Sequence, residues 1–180
     1  MHEPGALSYV VLEVPDPQAS AVMVIRQAHA DLFRAALPVE ITLTDSFDPA
    51  QDPHEAFAAL DFVGTVMRPI QTSFVGAHRF PDSDTFVMRL AAEDRFNALR
   101  QRILDAGLKF EPPPGYEFTP HCTLRTRSPV SQEEAAALLR TEIPGPITLD
   151  TLSIYTLMRA TNPAGVECHL RYRTPLVGTS

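Results

Sequence analysis

The sequence predicts an α+β fold made of two similar lobes. Two observations carry that expectation. Short segments with strand alternation are interleaved with capped, helix-periodic segments along the whole 180-residue chain. Two of the strands also share one layout: Glu40-Ile41-Thr42-Leu43 and His121-Cys122-Thr123-Leu124 each run polar, apolar, Thr, Leu. This is a faint internal duplication in which each half presents one x-Thr pair. The length suits a single bilobal domain over residues 1–180. At 44% hydrophobic and 21% charged, the composition is that of an ordinary globular chain.

The elements follow in order. Residues 7–14 are rich in β-branched and aromatic side chains and read as a strand. Asp16-Pro17 supplies an N-cap and a proline at the first helical position. The helix it opens carries Val22, Ile25, Leu32 and Ala36 on one stripe and stops before Pro38. The strand bearing Glu40 comes next. Asp52 and Glu55 form a capping box for a helix from Pro53 to about Val63. Residues 70–76 and 85–90 flank a turn cluster and predict a β-hairpin, with His78 near its loop. Residues 91–106 read as the longest helix, striped by Phe96, Leu99 and Ile103 and ended at Gly107.

Three consecutive prolines at 112–114 stiffen the connection into the strand that starts at His121. Ser131 and Glu134 open a short helix through Leu139. Pro144-Gly145-Pro146 ends it, and two strands, 147–158 and 166–173, finish the chain.

The chemistry concentrates on the strand Pro120 to Arg127. Period-two alternation puts His121, Thr123, Arg125 and Arg127 on one face and Cys122, Leu124 and Thr126 on the other. A face with an imidazole, a hydroxyl and two guanidiniums is costly to bury against apolar side chains and well suited to an anion. The same alternation applied to the last strand groups Glu167, His169, Arg171 and Arg173, which offers His169 and Arg171 to the same cleft. Tyr116 and Phe118, just before His121, are candidates for a wall on which a base stacks.

His121-Cys122-Thr123-Leu124 after a proline resembles the second H-x-T/S motif of the two-histidine (2H) phosphoesterase superfamily, which includes the 2′-5′ RNA ligase-like proteins and cyclic phosphodiesterases. Glu40-Ile41-Thr42-Leu43 lies where the first H-x-T motif belongs, so Glu40 stands in place of the first histidine. The order of elements resembles the family over roughly residues 7 to 173. The resemblance implies antiparallel sheets facing each other around a central cleft, with helices outside. It also implies catalysis without metal or other cofactor. One histidine deprotonates the attacking oxygen, the other protonates the leaving oxygen of a 2′,3′-cyclic phosphate or RNA-end phosphodiester, and the hydroxyls bond the phosphoryl oxygens.

Carried over residue by residue, His121, Thr123 and Thr42 match this scheme as catalytic residues. Glu40 occupies the fourth place with the wrong chemistry. A carboxylate 4 Å from a phosphate charge is repelled by about 4 kcal/mol at an effective dielectric near 20. Loss of one acid–base group typically costs about 10² to 10⁴ in rate. The expectation is therefore a hydrolase with impaired activity, with a noncatalytic binder of a nucleotide or RNA end as the alternative. Arg125, Arg127, Arg171, His169, Tyr116 and Phe118 are the expected substrate-binding residues.

Charge and cysteine content narrow the remaining classes. A broad, nonspecific nucleic-acid binder is usually basic, so a net charge of −7 confines any RNA contact to a local site. The two cysteines do not make a disulfide framework. Each is a strand neighbour of a histidine, Cys122 of His121 and Cys168 of His169, and strand neighbours point to opposite faces, so neither pair chelates zinc. Residues 1–5 lack a basic, then apolar, leader pattern, and no apolar run reaches membrane-spanning length. A cytoplasmic monomer is expected.

Overall fold

The computed structural model describes residues 6–47, 51–110, 115 and 117–179. Its strands are β1 (Leu7–Glu13), β2 (Glu40–Thr42), β3 (Ile70–Arg79), β4 (Phe86–Leu90), β5 (His121–Arg125), β6 (Pro146–Leu149), β7 (Thr151–Arg159) and β8 (Val166–Pro175). Its helices are α1 (Gln18–Ala28), α2 (Leu32–Ala35), α3 (Pro53–Val66), α4 (Glu93–Asp105) and α5 (Gln132–Leu139). All strand pairings are antiparallel, and the strands form one curled sheet in the order β6-β3-β4-β5-β2-β1-β7-β8.

The expected duplication is visible in this order. The sheet divides into halves β6-β3-β4-β5 and β8-β7-β1-β2, joined where β2 meets β5. In each half a strand–helix–strand unit leads into that seam: β1-α1-β2 in one, β4-α4-β5 in the other. The seam is held by the single register pair Ile41↔Cys122.

One face of the sheet buries its alternate residues under the helices. Val10 and Leu12 of β1, Ile41 of β2, Phe86, Met88 and Leu90 of β4, and Cys122 of β5 pack with Leu60 and Val63 of α3 and Phe96, Leu99 and Ile103 of α4. Burying a side chain of this size contributes roughly 1.5–3 kcal/mol, so this layer dominates the favourable side of folding. Gly64 lets α3 approach β8: a Cβ there would lie 2.5 Å from the Pro175 carbonyl oxygen. The opposite face is left for the cleft.

Three local features depart from the patterns read in the sequence. The helix expected to run to Pro38 breaks. Ala30 adopts φ 51°, Asp31 accepts a hydrogen bond from the Arg34 amide, and α2 restarts as a four-residue turn. The expected strand 147–158 divides at Asp150, where the chain leaves β3's partner β6 and becomes β1's partner β7. Finally, bulges reset the alternation inside β3, β5 and β8. Caps agree with the reading at Asp52, which accepts from the His54 amide, and at Ser131, which accepts from the Glu134 amide. At α1 the N-cap is Pro17 and not the expected Asp16, whose Oδ1 accepts from the Ser20 amide and hydroxyl from one residue farther out.

Candidate active site

The Ile41↔Cys122 pair buries both of its side chains completely in the helix-side core. Alternation then sends the flanking residues of both strands to the other face. There the antiparallel register sets Thr42 opposite His121 and Glu40 opposite Thr123. The four residues of the two x-Thr motifs thus meet at the seam, on the cleft side.

Glu40 is 7% exposed and Thr123 5%. The Thr42 hydroxyl donates to Glu40 Oε2 at 2.8 Å. Arg34 of α2 reaches the same place: with Glu40 and Thr42 it lines a cavity of about 250 Å³ that Tyr9, Phe33 and Tyr155 flank with aromatic surface. Burial pulls the Arg34 guanidinium below the usual arginine range, and the Glu40 carboxylate opposes that shift.

His121 is held differently. Its Nδ1 lies 2.7 Å from the Thr119 carbonyl oxygen and donates to it, which leaves the lone pair on Nε2. Burial lowers the imidazole below its ordinary value; the Thr119 bond and Glu40 pull it up, and Arg34 pushes it down. The net shift is downward, the direction that favours the neutral imidazole a general base requires. Phe80 packs edge-on against the ring at 4.9 Å between centroids. His121 opens into a second cavity of about 500 Å³, together with His78, Arg89 and Glu117.

Beneath the seam lies Arg26, 0% exposed. Its Nε and Nη2 donate to the Thr123 carbonyl at 3.1 and 2.8 Å, and its Nη1 donates to the carbonyls of Arg34, Leu37 and Pro38 at 3.0–3.1 Å. One buried guanidinium therefore ties α1, the segment after α2 and the site strand β5 together. On the far side, Glu13 accepts from Ser153, Tyr155 and Arg173 at 2.6–3.1 Å. Burial, with the Glu13 carboxylate adding to it, pushes the Tyr155 hydroxyl up to about 12, so it is a fixed, protonated wall of the Glu40 cavity.

The other expected site residues fall elsewhere. The β5 bulge leaves Phe86, a core residue, opposite Arg125 rather than Leu124, so Arg125 turns to the helix side. There it is 4% exposed and meets Glu134 of α5 at 2.8 Å. Arg127 lies beyond the strand end, exposed, and donates to the Ala30 carbonyl at 3.4 Å. In β8 the bulge leaves Arg171 unpaired and exposed. His169 pairs with Thr156, which shares the core face of β7 with Leu152 and Ile154, so the cleft side of β8 carries Cys168 and Leu170, the partners of Leu157 and Tyr155. The Phe118 ring packs under the Arg100 guanidinium, 5.1 Å away, and against the core, so it pins the approach to β5 onto α4. Tyr116 lies outside the described residues.

The alternation rule failed at Arg125 and His169 for one reason: a bulge inserts a residue and inverts everything beyond it. Arg34, Arg89 and His78, which the structure brings to the two cavities, carried no motif. The traces in the sequence were the x-Pro break at Leu37-Pro38, which ends α2 beside the cleft, and the place of His78 near the hairpin loop.

Among the described residues, no group of three or more His, Cys, Asp or Glu side chains is placed to hold a metal ion. Among those residues, too, no helix is long and apolar enough to cross a membrane.

Residues 14–160 match the family model described as the 2′-5′ RNA ligase superfamily. No curated protein sequence matches the chain. Solved structures do. TT0787 of Thermus thermophilus is 15% identical with a TM-score of 0.63, covering 97% of this chain and 100% of that one. E. coli LigT complexed with 3′-AMP is 14% identical with a TM-score of 0.62, covering 94% and 97%. E. coli LigT complexed with phosphate is 12% identical with a TM-score of 0.57, covering 94% and 96%. At these identities the likeness is one of fold.

Proposed function

The chain belongs to the 2′-5′ RNA ligase superfamily, and from that premise we propose that its cleft takes the phosphate of a nucleotide or RNA end and opens a 2′,3′-cyclic phosphate by hydrolysis. The observation that carries this reading is the convergence of Glu40, Thr42, His121 and Thr123 on one face of the central strand pair. His121, with Nδ1 committed to Thr119, presents Nε2 as the base that takes a proton from water. The phosphate-bound and 3′-AMP-bound neighbours of the same fold support an anion in such a cleft.

Turnover is slower than at a site with a histidine in each motif. Glu40 puts a negative charge beside the incoming phosphate, and the Thr42 proton is already given to that carboxylate. Thr42 then has no proton left for a phosphoryl oxygen. The neighbouring Arg34 offsets part of the repulsion.

The same observations favour a second reading, in which the cleft binds the phosphate end without turning it over. Glu40 is satisfied inside the protein by Thr42 and lies beside a guanidinium, as a purely structural carboxylate would.

Incubation with 2′,3′-cyclic nucleotides, scored by appearance of the 2′- or 3′-monophosphate, separates the two. Slow hydrolysis that His121→Ala lowers by about 10² or more is the expected result. Binding of the same nucleotides with no hydrolysis above a heat-denatured control establishes the binder.

A further inference from the structure

Resting on the phosphodiester reading above, we propose that His78 supplies the second imidazole of this chain's site, so that the acid–base pair is His78 with His121 across the β3-β4-β5 cavity.

The register places both on one face. His78 pairs with Val87, Val87 with Thr123, and Arg89 with His121, so His78, Arg89, Thr123 and His121 share the cleft side of three neighbouring strands. His78 and His121 line the same cavity of about 500 Å³ with Arg89 between them in strand order. Phe80 bridges them, its ring centroid 6.5 Å from His78 and 4.9 Å from His121, edge-on to both. The two imidazoles can be no farther apart than those two legs laid end to end. The proposal requires each imidazole nitrogen to come within hydrogen-bond reach of one of the two in-line oxygens.

Arg89 completes the site. One of its terminal nitrogens bonds Glu93, but its Nε is buried and has no hydrogen-bond partner among the described residues. The Arg89 side chain is 42% exposed and lines the cavity, so its guanidinium offers a positive charge to an anion there. On the Glu40 side the carboxylate already has Thr42 as donor, and the guanidinium of that cavity, Arg34, stands beside this negative charge. Among the described residues, Glu117 is the one carboxylate lining the His78 cavity.

The step balances without a co-reactant other than water. His121 Nε2 takes one proton from water, and the water oxygen forms a bond to phosphorus. One P–O bond of the five-membered cyclic phosphate breaks, and protonated His78 gives its proton to the departing ribose oxygen. Solvent then accepts the proton from His121 and gives one to His78.

Two measurements on the full chain test this. His78 is exposed on its strand, so His78→Asn leaves folding intact. It is expected to lower kcat for 2′,3′-cyclic AMP hydrolysis by about 10², as His121→Asn does, and the double variant is expected to be no slower than the worse single one, as for groups that act as a unit. In parallel, the imidazole nitrogen resonances of both histidines are followed while inorganic phosphate and then 3′-AMP are added; both are expected to move together. Hydrolysis that persists within threefold in His78→Asn but is lost in His121→Asn overturns the inference and leaves the phosphodiesterase reading standing. Movement of His121 alone overturns it even if no turnover is seen. Movement of neither histidine overturns both readings. Movement of both with no turnover by the wild type keeps the shared anion pocket and removes the acid role of His78.

Discussion

Replacing Arg26 with methionine tests how the cleft floor is held. The side chain is fully buried and donates to four carbonyl oxygens, those of Thr123, Arg34, Leu37 and Pro38. Methionine keeps most of the volume and donates nothing. The carbonyls of Arg34 and Pro38 lie in partly buried bonds and can recover water, but the bonds to Thr123 and Leu37 are buried. Each buried acceptor left open costs about 1–3 kcal/mol. Set against this is the desolvation of a guanidinium whose bonds here go to carbonyls and not to a carboxylate, which the variant no longer bears. The net expectation is a loss of about 3 kcal/mol in unfolding free energy by urea titration, or a fall in Tm of roughly 6–12 °C for a chain of this size. Because two of the lost bonds hold the Thr123 carbonyl, nucleotide affinity is also expected to weaken in the folded variant. A variant as stable as the wild type, or more so, would refute the reasoning. It would mean that burying the charge costs as much as its hydrogen bonds return.

Two further outcomes follow from the site. Burial holds His121 below its unfolded value, so the unfolded chain takes up this proton first as pH falls. Its contribution to stability is therefore complete above the ordinary imidazole range and is lost as pH drops from about 6.5 through the lower folded value. His121→Asn is expected to flatten the urea midpoint across pH 7 to 5, and an unchanged slope would show that other groups carry it. Glu40→Gln removes the like charge beside the phosphate. With Arg34 already offsetting part of the roughly 4 kcal/mol bare repulsion, a tenfold tighter Kd for 3′-AMP by calorimetry is expected, about 1.4 kcal/mol. Weaker binding would mean that the ligand donates a hydrogen bond to Glu40.

What the sequence by itself determined about this protein is local and periodic. Strand alternation around Ile41 and Cys122, the caps at Asp52 and Ser131 and the apolar stripe of Phe96, Leu99 and Ile103 are properties of short segments, and each appears in the structure. The repeated x-Thr layout also marked the two strands that form the seam, because matching alternation is what lets them bury one face together. Tertiary structure decided everything that depends on parity over a long strand or on contact between distant segments. A bulge at Leu124 and another at Arg171 each inverted the faces beyond them, which sent Arg125 to Glu134 and His169 away from the cleft. Arg34 reached Glu40 only because α1 breaks at Ala30, and His78 joined His121 only through the pairing of β3, β4 and β5. A bulge costs one residue of register and leaves little trace in composition, and hydrogen bonding between strands is blind to the side chains it brings together.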